Sequence, residues 1–307
     1  MKAFIVFTRI PLEHKTKTRL LPYYTPKQCV GLHIAMLKDL ARTLNGLDAS
    51  VKTYIYYLPE GDVSIIKNIF GDDKTYREQK GEDLGDKMYN AISEVLSEGA
   101  SAVSLSGTDI PMLLAEDIES SFTFLENNDI VLSPTEDGGY YLVGMKKANK
   151  EIFDIEGYGT GSVYENTKHK IEDMGLSLGT GRRLRDIDTK EDIKAYYGII
   201  RTDLDFRKTH TAIFLKENKS IAIIIPTYNE EETIVSLMNQ LKGIKDRCEI
   251  VFVDGGSTDN TVKLIEESKF RLLHSKKGRN NQMNLGALSV EADILFFLHC
   301  DSVLPPH

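Results

Sequence analysis

Residues 3–20 read AFIVFTRIPLEHKTKTRL, an unbroken apolar run that gives way to a loop dense in lysine and arginine. A short apolar run without alternation is what a strand buried on both faces requires. Such strands build largely parallel sheets, whose ligands bind outside the carboxyl ends of the strands. The chain continues in the same manner to about residue 200. Gln28–Leu44 places Val30, Ile34, Leu37, Leu40 and Leu44 near the 3.6-residue helical period. Val51–Tyr57, Ala102–Ser106, Ile130–Ser133 and Tyr140–Met145 read as strands, and Ser64–Phe70, Leu84–Leu96, Glu116–Glu126 and Lys190–Ile200 as helices. This βαβ alternation predicts an α/β domain, a mostly parallel sheet with helices on both faces.

A second cycle starts at Ile221, with a strand, a helix at Glu230–Leu241, a strand at Glu249–Val253 and a helix at Thr261–Ser268. Arg271–His274 reads as a short strand, Met283–Ser289 as a helix and Ile294–Leu298 as the last strand. The polar stretch between the cycles has no sustained period. The expected division is therefore a first domain over 1–200, a linker over 201–218 and a partial second α/β module over 219–307.

Composition narrows the function. A net charge of −8 argues against non-specific nucleic-acid binding, which needs a basic footprint. Cys29, Cys248 and Cys300 are scattered and form no CxxC, as expected of a reduced protein without structural disulfides or zinc. No apolar run approaches the roughly 20 residues needed to cross a bilayer, and the N-terminus lacks a signal-peptide core. A cytoplasmic protein is the expectation. No histidine pair stands at metal spacing, and no GxSxG, Walker A or GxGxxG follows a strand.

The chemistry-bearing residues fall just after expected strands. Lys15, Lys17 and Arg19 put positive charge where a nucleoside diphosphate would carry its negative charge, and arginine forks bind phosphate bidentately. Thr108 and Asp109 end the strand Ala102–Ser106; a carboxylate there can hold Mg²⁺ or Mn²⁺ against phosphates, or cap a helix. Asp137-Gly138-Gly139-Tyr140 reads equally as a hairpin turn and as a small-ligand loop whose glycines allow close backbone approach. Asp188 is taken as the distal acid of the metal site. Asp186 is taken as structural, and Asp188-Thr189-x-x-Asp192 also reads as a capped helix start.

These segments carry a resemblance. Pro11-x5-Lys17-Thr-Arg19-Leu resembles the P-x5-K-T-R-L signature of an uncharacterised transferase family related to phospholactate and molybdenum-cofactor guanylyltransferases, although His14 stands where that family has glycine. Gly81–Met88 matches its G-x-L-G-x-x-M region loosely. Ser106–Pro111 matches G-[ST]-D-x-P, Ser133–Leu142 matches P-x-x-D-G-G-Y-Y-L, and Arg185–Asp192 matches D-x-D-T-x-E-D. The resemblance implies a GT-A-like nucleotide-diphospho-sugar transferase fold. It implies catalytic roles for Asp109 and Asp137, and nucleotide or substrate contacts from Lys17, Arg19, Thr108, Gly138, Gly139 and Tyr140.

In the second module, Pro226-Thr-Tyr-Asn229-Glu230-Glu231, Asp254-Gly-Gly-Ser257-Thr-Asp259, Arg279–Gly286 and His299-Cys-Asp301 stand in the order of the opening half of a family 2 glycosyltransferase. That resemblance implies nucleotide contacts from Asn229, Glu230, Asp254 and Arg279, and a metal ligand in Asp301. Because the sequence stops just beyond Asp301, this module is expected to be truncated, with an apolar strand edge through which copies could associate. The function expected is metal-dependent glycosyl transfer from a nucleotide-diphospho-sugar to an unspecified acceptor, at the first module. Nucleotidyl transfer with pyrophosphate release, and a non-catalytic nucleotide-binding scaffold, are the alternatives.

Overall fold

The computed structural model describes residues 1–21, 23–155, 161–245 and 248–304. The chain divides into two compact units, Met1–Lys216 and Glu217–His307. In the first, β1 (Lys2–Thr8) is followed by α1 (Pro26–Leu44), β2 (Val51–Tyr57), α2 (Ser64–Phe70), β3 (Thr75–Glu78), α3 (Leu84–Ser97) and β4 (Ala102–Ser106). Then come α4 (Ala115–Asn127), β5 (Ile130–Pro134), β6 (Tyr140–Met145), α5 (Val163–Asp173), β7 (Leu178–Thr180), α6 (Lys190–Thr202) and α7 (His210–Glu217).

The strands form a seven-stranded sheet in the order β3-β2-β1-β4-β6-β5-β7. Only β6 runs antiparallel to its neighbours β4 and β5. In register, Thr8 lies beside Tyr57 and Val6 beside Ser106, so β1, β2 and β4 end on the same side of the sheet. Pro134 pairs with Tyr140, which brings the Asp137-Gly-Gly turn to that side as well.

β1 shows why the apolar run is unbroken. Ala3, Ile5 and Phe7 pack with α3 and α5 residues such as Ile92, Val95 and Ile171. Phe4 and Val6 point the opposite way, against Leu37, Leu40, Ile66 and Phe122 of α1, α2 and α4. Both faces of the central strand are core, so neither parity of residue can be polar.

A third cluster lies beside the sheet: Leu20, Tyr24, Leu32 and Met36 pack with Ile193, Tyr196 and Ile200 of α6 and with Phe206, Ala212 and Leu215. This corrects the linker expectation for residues 201–218. Ala212 and Leu215 of α7 are fully buried, and the Asp39 carboxylate accepts from the backbone N–H groups of His210 and Thr211 at 2.7 and 2.8 Å. Asp39 thus satisfies the open end of α7 from 171 residues away in sequence.

The second unit comprises β8 (Ile221–Thr227), α8 (Ile234–Leu241), β9 (Glu249–Asp254), α9 (Thr261–Ser268), β10 (Arg271–His274), α10 (Arg279–Leu288) and β11 (Ile294–Phe297). Its parallel sheet has the order β10-β9-β8-β11. Here α8 begins four residues later than the sequence suggests, because Glu230–Thr233 forms turns tied to the Ser257–Thr261 loop. β11 pairs with β8 on one side, and all four of its residues are exposed.

Ending the chain after Lys208 removes α7, opens the third cluster and strips the Asp39 carboxylate of its partners. Losing burial of this kind costs several kcal/mol. The 1–208 chain should therefore melt roughly 5–10 °C below a 1–219 chain. Equal melting temperatures by differential scanning calorimetry would show that α7 is an accessory.

Candidate active site in the first unit

The loops after β1, β4, β5 and β7 converge on a cleft of 690 Å³. Its basic wall comes from Arg9, Lys15, Lys17 and Arg19. Its acidic wall comes from Asp109, Asp137, Asp186 and Asp188, and Phe7, Leu58, Leu84, Met88 and Val143 supply an apolar side. Of the expected residues, Lys17, Arg19, Thr108, Asp109, Asp137, Gly139, Tyr140 and Asp188 all line it.

Lys17 sits beneath the cleft rather than at its open rim. Its side chain is 4% exposed, its ammonium meets Asp109 Oδ1 at 2.8 Å, and it also donates to the Ile187 carbonyl. The backbone N–H of Ile187 donates to the Asp109 carbonyl at 2.9 Å. One buried cation thus joins three loops. The Asp109 side chain remains half-exposed to the cleft. Burial would raise its pKa, but Lys17 foremost, with His33 and Arg9, brings it below the ordinary carboxylate value.

Lys17 has φ 50° and His14 φ 60°, both in the left-handed region. This accounts for the glycine that the resembled family carries at the position of His14. The loop keeps a conformation that glycine adopts without steric cost, here at about 1 kcal/mol.

His33, on α1, has no histidine partner at metal spacing and so carries no signal in the sequence. In the structure it lies between the Thr16 and Thr108 hydroxyls, with 3.4 Å to each from Nδ1 and Nε2. It bridges the residues preceding Lys17 and Asp109. Burial pushes its pKa down to about 4, so the ring is neutral at pH 7.

Asp137 accepts from the Thr135 hydroxyl and, at 3.1 Å, from the Gly139 N–H. Gly138 does not line the cleft. It has φ 90°, and a Cβ there would lie 2.0 Å from the Gly161 carbonyl oxygen. Its role is to let two backbone segments touch.

Asp186, read as structural from sequence, faces the cleft instead. Burial first, then the nearby Asp137, Asp192 and Asp109, raise its pKa to about 7. The capped helix start is also present, but Thr189 and Asp192 make it, through a reciprocal box at the start of α6. That leaves Asp188 to pair with Arg19 at 2.5 Å.

Among the described residues no three Asp, Glu, His or Cys side chains are grouped so as to hold a cation alone. The acids present fit Mg²⁺ or Mn²⁺ in the way such ions bind beside nucleotides, through one or two carboxylates with phosphate oxygens completing the shell.

In the second unit, Asp254 is buried and accepts from Gly256 N–H, Ser257 N–H and the Ser257 hydroxyl at 2.8, 3.0 and 2.5 Å. It shapes its own turn. Asn229, at φ 54°, accepts from Thr258 N–H at 2.9 Å and links the β8 and β9 loops. Glu230 donates its backbone N–H to Thr261 Oγ1 at 2.7 Å. Arg279 opens α10, and Asp301 follows β11 in a turn; both are exposed.

Comparison with known proteins agrees with this division. The family described as an uncharacterized protein conserved in bacteria (DUF2064) matches residues 43–160, and glycosyl transferase family 2 matches residues 222–307. A solved protein of Desulfovibrio desulfuricans G20, provisionally named a nucleotide-diphospho-sugar transferase, superposes with a TM-score of 0.65 at 28% identity, covering 71% of this chain and 94% of that one. The undecaprenyl-phosphate 4-deoxy-4-formamido-L-arabinose transferase of Proteus mirabilis (strain HI4320) is 30% identical over 105 residues, which are 30% of this chain and 32% of that protein. The poly-beta-1,6-N-acetyl-D-glucosamine synthase of Staphylococcus aureus (strain COL) is 29% identical over 99 residues, 30% of this chain and 24% of the relative. The chain thus spans a quarter to a third of the length of these curated relatives. It carries an N-terminal domain of the first family and a C-terminal glycosyl transferase family 2 domain, on nucleotide-diphospho-sugar transferase architecture.

The lowered pKa of His33 sets a pH dependence. Between about 6.5 and 4 the unfolded chain binds a proton there that the folded chain does not, so stability present above pH 6.5 is lost as pH falls towards 4. The full shift is worth about 3 kcal/mol. In urea unfolding at pH 7 and pH 4.5, wild type should lose more stability than His33→Gln. Equal losses would refute the buried neutral ring.

Proposed function

We propose that the first unit catalyses glycosyl transfer from a nucleotide-diphospho-sugar, in the presence of Mg²⁺ or Mn²⁺. The observation that carries this reading is a single cleft with a basic wall from one loop facing the carboxylates of three others. Such a cleft suits a ligand that brings phosphate oxygens and a divalent cation together. The kinship with a provisionally named nucleotide-diphospho-sugar transferase, and the family 2 domain in the same chain, support glycosyl transfer.

In this reading Arg19 binds the diphosphate at the rim, while Asp109 and Asp188 are the ligands toward the cation. A bound cation neutralises charge on the departing diphosphate. Lys17 does not contact the phosphates; it fixes Asp109 from below. Asp137, held by Thr135 and Gly139, orients sugar hydroxyls beside Tyr140. The apolar side around Phe7, Leu58 and Met88 shields the base or sugar from water. In the second unit, Arg279 and Asp301 are the nucleotide-facing groups, with Asn229, Glu230 and Asp254 building the loops beneath.

Thermal shift with nucleoside diphosphates and Mn²⁺ should stabilise wild type, and Asp109→Asn should abolish the Mn²⁺-dependent part of that shift. Asp109→Asn also removes the counter-charge of buried Lys17, so its ligand-free melting point should fall by several degrees. An unchanged ligand-induced shift would sink the role of Asp109. Incubation with sugar nucleotides should release nucleoside diphosphate. Release of pyrophosphate from nucleoside triphosphates in its place would replace glycosyl by nucleotidyl transfer.

A further inference from the structure

Among the described residues, two cation–carboxylate pairs cross the cleft, and they differ in kind. Lys17–Asp109 is fixed: the ammonium is 4% exposed and holds the Ile187 carbonyl as well. Arg19–Asp188 lies at the mouth, with side chains 61% and 31% exposed. It joins the basic loop after β1 to the acidic loop before α6. Exposed pairs contribute only about 0–1 kcal/mol, so an entering ligand can open this one.

Opening it has an asymmetric cost. A bare phosphate that takes Arg19 leaves Asp188 unmatched beside an anion. A bare cation that takes Asp188 leaves Arg19 unmatched beside it. A diphosphate already carrying its divalent cation satisfies both halves. The described residues offer no group of three ligands that could hold a cation without such phosphates.

We propose that the Arg19–Asp188 pair is a charge latch that selects the metal-chelated nucleoside diphosphate over either component alone. The phosphate takes Arg19 and the cation takes Asp188 in one exchange, while the Lys17–Asp109 pair stays in place. This rests on the nucleotide-diphosphate reading of the cleft and adds to it the form in which the ligand is admitted.

The test uses the full chain, UDP and GDP measured by calorimetry in EDTA, and Mn²⁺ without nucleotide measured by electron paramagnetic resonance. Asp188→Asn frees Arg19 and should tighten metal-free diphosphate binding by up to about fivefold, the equivalent of one surface pair. Arg19→Met frees Asp188 and should tighten nucleotide-free Mn²⁺ binding by a similar factor. Both variants should weaken binding of the Mn²⁺–diphosphate complex. Because the pair is exposed, both should fold.

The double variant separates a latch from a general charge effect. In the Arg19→Met background, Asp188→Asn removes only the repulsion between its carboxylate and the diphosphate, so its gain should be clearly smaller than in the wild-type background. Persistence of the full gain there would overturn the latch, as would Asp188→Asn weakening or not altering metal-free binding in the wild-type background. Wild type that binds UDP and GDP normally while either result holds would leave the nucleotide reading standing without the latch. Wild type that binds neither diphosphate, with or without Mn²⁺, would overturn both.

Discussion

A single buried ammonium sets the geometry of the first unit's cleft. Removing the charge of Lys17 from water is costly unless an anion and further acceptors receive it, and the structure supplies Asp109 and the Ile187 carbonyl. Those two groups belong to loops that follow different strands, and the ammonium comes from a third. The electrostatic requirement of one side chain therefore fixes the separation of the loops that carry the basic and acidic walls. His33 repeats the tie one residue earlier through Thr16 and Thr108. With two ties in place, the left-handed backbone at His14 and Lys17 is held against its own steric preference.

What could be read from the sequence follows from how local each determinant is. β1, β4 and β5 are legible because burial on both faces favours a nearly continuous apolar run, interrupted in β4 and β5 only by the small hydroxyls of Ser104, Ser106 and Ser133, and the 3.6-residue stripe of α1 marks the face on the core. β3 and β7 leave little trace in the sequence: TYRE and LGT are short strands at the sheet edges, with no continuous apolar run to announce them. α7 was hidden for another reason. HTAIFLKE buries Thr211, Ala212 and Leu215 within a single short helix, too brief for a period, and its N-terminus is capped by Asp39 on α1.

At the site, residue type, position after a strand and the motif resemblance together suffice to expect Asp109, Asp137, Arg19 and Asp188 at the cleft that they line. Direction does not follow from them. Whether Lys17 reaches up to a ligand or down to Asp109, and whether Asp186 joins Asp188 in facing the cleft, depends on backbone torsions and on partners far along the chain. His33 illustrates the limit most clearly. Its two contacts are 17 and 75 residues away, and neither leaves a mark in the local pattern.

The second unit's sheet has two unlike edges. β11 offers Ile294–Phe297, each 38–48% exposed, beyond which no strand of this sheet is described. At the far edge, β10 starts with Arg271, held by Glu249, and ends with exposed His274. If β11 met its counterpart on another molecule, the contact would be the same on both sides and would close about a twofold axis. Lengthening that pair into a ribbon would need the β10 edge as well, and charged groups guard it. The two edges of one small sheet thus differ in what they would present to a further strand, apolar side chains at β11 and a paired arginine at β10.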